Sequence, residues 1–176
     1  AYIDGLSYKN DVIKGGSFMQ DSSKGNPFPQ DAVQEFRVVT QNFKAEYDQA
    51  AAAEVEKRAI DLICLAGYMK VLTPQFCDAY KYRIVNIHPA LLPAFPGLHV
   101  QQKAIDWGAR YSGCTVHFVA AEDDMGPIIP QAVVPVLQDD TEETLAARIL
   151  VEEHKIYPES VRLYFDGRIE VRGRRV

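Results

Sequence analysis

A short apolar stretch that ends in glycine sets the strongest limit on what this chain can fold into. Residues 61–67 read Asp-Leu-Ile-Cys-Leu-Ala-Gly, a run too short for an ordinary helix and without the polar alternation of a half-exposed strand. Such runs are typical of strands buried on both faces of a parallel sheet. Thr73 and Pro74 follow, the pattern of an N-cap with proline at the first helical position. A buried strand followed closely by a helix predicts an α/β arrangement.

The same alternation continues toward the end of the chain. Further strands are predicted over 83–87, 114–119 and 128–136, and helices over 50–59, 73–80, 98–107 and about 141–155. We expect Pro158 to end or kink the last helix, because proline disfavours helix at the preceding residue. The pattern predicts an α/β fold with a mostly parallel sheet and a ligand site at the carboxyl ends of strands. A length of 176 residues suits one domain of ordinary size.

Charge and cysteine content argue against several classes of protein. A net charge of −5 at pH 7 does not suit a surface built to bind nucleic acid. No apolar run approaches the roughly 18 residues of a membrane span. The three cysteines, Cys64, Cys77 and Cys114, show no CxxC spacing, so we expect neither a disulfide framework nor a zinc site. These features favour a reducing compartment, and we expect a cytoplasmic protein; the small-molecule substrates follow only from the resemblance described below.

The first 43 residues differ in character from the rest. Residues 1–35 are polar and rich in turn-forming residues, and only residues 36–40 have the composition of a strand. Residues 1–5 lack the features of a secretory signal and an initiator Met, so we expect a processed, trimmed or partial chain. The sequence therefore divides into an atypical, turn-rich segment over 1–43 and a domain over 44–176.

A group of polar residues is placed where it could carry chemistry. Asn86 and His88 are two apart on a predicted strand, so their side chains point the same way near its carboxyl end. Three carboxylates over 122–124 follow another strand end. An acid favours a nearby imidazolium, and an amide can hold a developing oxyanion, which together suit acyl transfer to an amine. On this pattern alone, a structural histidine and a solvated acidic turn are the commoner explanations.

Longer motifs resemble one known family. Residues 86–99 read Asn-Ile-His-Pro-Ala-Leu-Leu-Pro-Ala-Phe-Pro-Gly-Leu-His, and they resemble the signature of the phosphoribosylglycinamide formyltransferases, folate-dependent enzymes of purine biosynthesis. The resemblance covers about residues 44–174, with further matching blocks at 65–72, 112–119, 126–131 and 153–158. The Phe-Pro-Gly-Leu-His continuation favours this family over the methionyl-tRNA formyltransferases and the formyltetrahydrofolate deformylases.

The resemblance implies a fold, a reaction and a set of residues. The fold would be the Rossmann-like formyltransferase fold without its first βαβ unit. The reaction would be metal-free formyl transfer from 10-formyltetrahydrofolate to the amine of 5′-phosphoribosylglycinamide, by a monomer or homodimer with no nucleic-acid or membrane partner. The catalytic residues would be Asn86, His88 and Asp124. The folate would contact Met69, Lys70, Val71, Leu72, Asn86, Ala120, Ala121, Glu122, Asp123, Asp124 and Lys44, and the ribonucleotide Leu150, Val151, Glu152 and Glu153.

Two features depart from the family pattern. Met125 stands after Asp124 where a small residue is usual, which alters the predicted turn. The family's Gly-rich phosphate loop has no clear counterpart, since no apolar strand precedes the Gly-Gly-Ser at 15–17. Residues 4–50 instead resemble the plug region of TonB-dependent outer-membrane receptors, which implies a chimera. A formyltetrahydrofolate hydrolase, or an inactive folate-binding or receptor-derived module, is therefore an alternative function.

Overall fold

The computed structural model of this chain contains two compact units, residues 1–42 and 43–176. The structure describes residues 2–3, 6–7, 45–68, 71–121 and 126–176. In the first unit, β1 (Tyr2–Ile3) and β2 (Leu6–Ser7) form an antiparallel pair. The strand predicted over 36–40 lies outside the described residues.

The second unit alternates helices and strands around a four-stranded sheet. Its helices are α1 (Ala45–Lys57), α2 (Pro74–Ala79), α3 (Val100–Asp106) and α4 (Glu142–Phe165). Its strands are β3 (Ile63–Leu65), β4 (Ile84–His88), β5 (Tyr111–Phe118) and β6 (Ile128–Pro135), and they are hydrogen-bonded in the order β3-β4-β5-β6. These elements confirm the α/β fold class.

The sheet is mixed, and the predicted mostly parallel order does not hold for the described strands. β3 and β4 are parallel, whereas β4 and β5, and β5 and β6, are antiparallel. Residues 119–127 alone connect β5 to β6, too few for the helical crossover that a parallel pair requires. Because β4 and β5 are antiparallel, the carboxyl end of β5 lies beside the amino end of β4.

Helices cover both faces of this sheet. On one face, α1 and α2 pack on the sheet through a cluster formed by Val55, Phe76, Tyr80 and Ile84. On the other face lies α4, whose Tyr164 ring is 6.5 Å from the Phe118 ring, centroid to centroid. Phe118 is the register partner of Val85. Because successive strand residues alternate in direction, Asn86 and His88 share the α1/α2 face and point away from α4.

The last helix is longer than predicted. It begins after the N-cap Thr141, whose hydroxyl accepts the Thr144 N–H at 3.3 Å. It then continues through Pro158 to Phe165, so the proline does not end it. Buried Tyr157 and further buried residues beyond the proline hold this helix on the sheet, and that packing outweighs the lost hydrogen bond. None of the helices in the described residues is both long enough and apolar enough to cross a membrane.

Candidate active site

A row of polar side chains lies on the α1/α2 face of the sheet. Asn86 is half-buried and His88 is 5% exposed. Across the antiparallel pairing, Asn86 lies opposite His117 and His88 lies opposite Thr115. Both of these β5 residues are buried as well. A concentration of buried polar groups in a sheet is more informative than its apolar residues, because each group must find a partner.

The Asn86 amide is held by a neighbouring imidazole. Asn86 Nδ2 lies 3.3 Å from His117 Nε2, and His117 Nδ1 lies 3.0 Å from the carbonyl oxygen of Phe118. Since a carbonyl only accepts, His117 Nδ1 carries the proton and Nε2 accepts from the amide. An amide nitrogen has two N–H groups, so Asn86 keeps a second one with which it can bind a ligand. Sequence reasoning did not place His117 in the site, although a histidine inside a buried strand was a usable signal.

The proline-rich segment after β4 reaches back to His88. His88 Nε2 lies 3.0 Å from the carbonyl oxygen of Phe95. The carbonyl accepts, so Nε2 carries the proton and Nδ1 is the nitrogen at which neutral His88 can gain one. Phe95 has a φ of 51°, in the left-handed region that is uncommon for bulky residues. The backbone of Phe95 is therefore strained in the conformation that places its carbonyl oxygen within hydrogen-bond distance of the His88 imidazole.

The acidic turn follows β5 and so starts near the amino end of β4, whereas a parallel β5 would have placed its start near the carboxyl end. The Phe118 N–H donates to the Pro127 carbonyl at 2.9 Å, and a Cβ on Gly126 would overlap the Phe118 backbone. The turn therefore leaves and rejoins the sheet at Phe118, beside Val85. Because β5 runs antiparallel to β4, the expected ligand site at the carboxyl ends of parallel strands does not hold for β5. Outside the described residues lie Lys44, Met69, Lys70, Glu122, Asp123 and Asp124.

The described parts of the predicted folate segments approach the α1/α2 face. Leu72 and Val119 pack against the cluster that contains Ile84, two residues before Asn86 on β4. Val71 is 66% exposed. Ala120 and Ala121 are half-buried and line a cavity of about 340 Å³, which is bounded by α2, residues 119–121, residues 126–127 and residues 173–174. The structure thus brings Leu72 and the start of the acidic turn to the face that carries Asn86.

The predicted ribonucleotide residues lie on α4, at the other face of the sheet. Leu150 and Val151 are 37% and 53% exposed. Glu152 accepts a hydrogen bond from Lys155 at 2.7 Å. Glu153 differs from them, because it is only 8% exposed.

Burial raises the pKa of the Glu153 carboxyl to about 7. Burial also raises the pKa of the Cys114 thiol to about 12, with the Glu153 charge as the next contribution. Cys114 precedes Thr115, the register partner of His88. Glu153 and His88 therefore lie on opposite faces but near the same end of β4. Among the described residues, no group of three His, Cys, Asp or Glu side chains could hold a metal ion.

Comparison with known proteins assigns the family. Residues 19–161 match the family described as Formyl transferase. The chain belongs to the formyl transferase family. The family match begins ahead of residue 44, where the resemblance in the sequence begins, and so takes in residues 19–43.

This chain is similar in sequence and in fold to individual members of the family. The chain is 43% identical over 125 residues to the phosphoribosylglycinamide formyltransferase of Escherichia coli (strain K12), which is 71% of this chain and 59% of that protein. Glycinamide ribonucleotide transformylase 1 from Symbiobacterium toebii gives a TM-score of 0.74 and 52% identity, over 76% of this chain and 63% of that one.

A formyltetrahydrofolate deformylase from Pseudomonas syringae pv. tomato str. DC3000 has a similar fold. It gives a TM-score of 0.73 and 30% identity, over 80% of this chain and 47% of that one. The chain thus spans about half to two thirds of the length of these three family members. The similarities confirm the Rossmann-like formyltransferase fold of the second unit.

Proposed function

We propose that this chain transfers a formyl group from 10-formyltetrahydrofolate to the amine of 5′-phosphoribosylglycinamide in purine biosynthesis. The observation that carries the proposal is the pair Asn86 and His88, an amide and an imidazole on one buried strand face. Each is held by a hydrogen bond, at 3.3 Å to His117 and 3.0 Å to Phe95 respectively. The names of the relatives from E. coli and Symbiobacterium toebii support the choice of substrates.

The reaction forms one carbon–nitrogen bond and breaks another. The substrate amine attacks the formyl carbon, the bond from that carbon to the folate nitrogen breaks, and the amine's proton ends on that nitrogen. The second N–H of Asn86 donates to the formyl oxygen as it becomes an oxyanion. His88 moves the proton at Nδ1, as a general base and then a general acid. Because Nε2 stays bonded to Phe95, the ring exchanges this proton without turning.

Asp124 completes the proposed site as the carboxylate whose charge stabilises the imidazolium that forms when His88 gains a proton. His88 is three residues along β4 from Val85, a separation of about 10 Å at the usual strand rise. Gly126 lies beside Val85's partner, Phe118. Two extended residues from Gly126 back to Asp124 span at most about 7 Å, and the two side chains cover the rest. The length of the turn therefore permits contact between Asp124 and His88, directly or across one water.

The proposed substrate contacts follow from the two faces of the sheet. Leu72 and Val119 form an apolar wall near Asn86, which suits the flat ring system of a folate. The folate contacts of Lys44, Met69, Lys70, Val71, Ala120, Ala121, Glu122, Asp123 and Asp124 belong to this proposal. A ribonucleotide lying across the carboxyl end of β4 would reach Glu153 on the far face. Leu150, Val151 and Glu152 are proposed to flank it.

A transfer assay with two site variants tests the proposal. Asn86→Ala and His88→Asn should each lower kcat/KM for formyl transfer about 100-fold or more, because one oxyanion donor is worth about 10²–10³ in rate and general acid–base catalysis about 10²–10⁴. The matched control is His99→Asn, since the His99 side chain is 78% exposed and its left-handed backbone suits asparagine. Transfer by Asn86→Ala at more than half the parent rate would refute the role of the amide.

Hydrolysis is the second candidate reaction, with water in place of the amine. The similarity to the deformylase from Pseudomonas syringae favours it. The two reactions separate by product: hydrolysis yields formate without ribonucleotide, whereas transfer requires the ribonucleotide. Folate binding without either product would support the inactive module. The purine role also leads us to propose a cytoplasmic location. We further propose a monomeric or homodimeric state, and light scattering after size exclusion would measure the molar mass that decides between the two.

For the N-terminal part, we propose a separate origin for residues 1–43, with the receptor-plug resemblance as its source. The unit boundary after residue 42 supports a division there, whereas the family match from residue 19 weighs against it. If the Gly-Gly-Ser at 15–17 is no phosphate loop, Gly16→Val leaves the affinity for the ribonucleotide unchanged. A tenfold loss of that affinity would identify a phosphate loop and end the chimera proposal.

A further inference from the structure

One carboxyl on α4 differs from its neighbours because it has no partner. Glu152 accepts a hydrogen bond from Lys155 at 2.7 Å, and Glu159 accepts one from Arg162 at 2.6 Å, both at the surface. Glu153 is only 8% exposed. In the part of the chain that the structure describes, no group donates a hydrogen bond to its carboxyl and no cation pairs with it. Such a carboxyl avoids the cost of a buried, unpaired charge by keeping its proton.

The surroundings of Glu153 favour the neutral acid. Burial alone raises the pKa of its carboxyl to about 7, so no charged side chain of the described residues shifts it. Burial first, and the Glu153 charge next, raise the pKa of the Cys114 thiol on β5 to about 12. Burial also raises the pKa of Tyr157, one turn further along α4, well above its usual value. β6 carries no titratable side chain, and Glu152 and His154 flank Glu153 along α4.

The proposed ribonucleotide offers the hydrogen bonds that this carboxyl lacks. Glu153 lies near Cys114, which precedes the register partner of His88, and therefore near the carboxyl end of β4. The sugar of a ribonucleotide carries hydroxyl groups, which can donate. An ionised carboxyl only accepts hydrogen bonds, and it accepts them more strongly than a neutral acid does. Hydroxyl groups placed at Glu153 would therefore favour its ionised form.

We propose that binding of the ribonucleotide makes Glu153 release its proton. The carboxyl gains hydrogen bonds only when the ligand arrives, and these bonds compensate for the burial of its charge. Because such coupling is reciprocal, the affinity for the ribonucleotide should fall as the pH drops below the pKa of the free acid. This inference rests on the proposed function, since it takes the ribonucleotide to bind at Glu153.

Carbon-13 NMR of the full chain with labelled glutamate measures the midpoint of each carboxyl, with and without saturating 5′-phosphoribosylglycinamide. The Glu153 signal should titrate with a pKa of about 7 in the free chain. In the complex its midpoint should lie below about pH 5, because accepted hydrogen bonds lower the pKa of a carboxyl. The signal is identified by its loss in Glu153→Gln. If that variant does not fold, Glu153→Asp removes the same signal.

Glu159 is the matched internal control within α4. It is paired with Arg162 at the surface, so its midpoint should not respond to the ribonucleotide. A Glu153 midpoint that stays near 7 or rises in the complex would overturn the proposal, because the acid would then keep its proton. Equal decreases for Glu153 and Glu159 would also overturn it, since they would reflect a general charge effect.

Calorimetry on the same samples separates this inference from the proposed function. For midpoints of about 7 and about 5, Glu153 alone should make ribonucleotide affinity about 50-fold weaker at pH 5 than at pH 8. A chain that binds and formylates the ribonucleotide with an unchanged Glu153 midpoint would refute only the proton release. A chain that does not bind the ribonucleotide would refute the proposed function and this inference together.

Discussion

Replacing Glu153 with glutamine should remove a pH-dependent destabilisation of the fold. Glu153 is 8% exposed, and burial raises its pKa from 4.5 to about 7. Between these two values the native state binds more protons than the unfolded state. The contribution of Glu153 to the parent's free energy of unfolding should therefore be most favourable below about pH 4.5. It should be lost as the pH rises from there through about 7.

The size of the effect follows from the same two pKa values. At 1.36 kcal/mol per pKa unit, the difference between 4.5 and about 7 corresponds to about 3 kcal/mol. Glutamine has nearly the shape of the protonated acid and does not titrate. Relative to its value at low pH, the advantage of Glu153→Gln over the parent should therefore grow by about 3 kcal/mol by pH 8.

Guanidinium unfolding at several pH values between 4.5 and 8 measures this difference directly. Subtracting the parent from the variant cancels the titration of all other groups. Glu152→Gln is the matched control: this neighbour is paired with Lys155 at the surface, so its substitution should change stability by no more than about 0.5 kcal/mol throughout. A constant difference between Glu153→Gln and the parent would show that Glu153 is ionised in the native state, and the reasoning from burial would fail.

Two further outcomes are expected. Tyr157→Phe should lower the free energy of unfolding by about 1–3 kcal/mol, because it removes buried bonds to the carbonyls of Leu65 and Val85, at 2.8 and 3.2 Å. In the same assay Tyr164→Phe should cost less, since its 3.3 Å bond to Asp61 is exposed, and equal losses would contradict the buried role of Tyr157. Calorimetry should show tighter binding of a folate analogue than of the ribonucleotide, because Leu72 and Val119 form the apolar wall of the proposed folate site and the sequence shows no clear phosphate loop; the reverse order would show that another segment holds the phosphate.

The starts of α2 and α4 and the buried strands could be predicted because their signals are local, whereas α1 begins at Ala45, five residues before the predicted start. Thr73 and Thr141 both act as N-caps, and each hydroxyl accepts a backbone N–H at 3.3 Å. The antiparallel pairing of β5 with β6 follows from the short connection over 119–127, which cannot hold a crossover. The direction of β5 beside β4 could not be predicted, because a single sequence does not give the order of the strands in the sheet. The continuation of α4 past Pro158 was missed for a related reason: packing on the sheet overrides the local preference of proline.

The site was predictable in part. The strand period places Asn86 and His88 side by side, and this placement needs no tertiary information. His117 enters the site through the register of β4 and β5, which a single sequence does not reveal. Asp124 and the other residues outside the described ranges stay predictions.

The fate of the formyl group tests the central claim most directly. The purified chain would be given 10-formyltetrahydrofolate labelled at the formyl carbon, with and without 5′-phosphoribosylglycinamide, and the products identified by mass spectrometry. The account predicts that the label appears as an amide on the ribonucleotide amine and that Asn86→Ala loses this product. Label released as formate at the same rate with or without the ribonucleotide would contradict it.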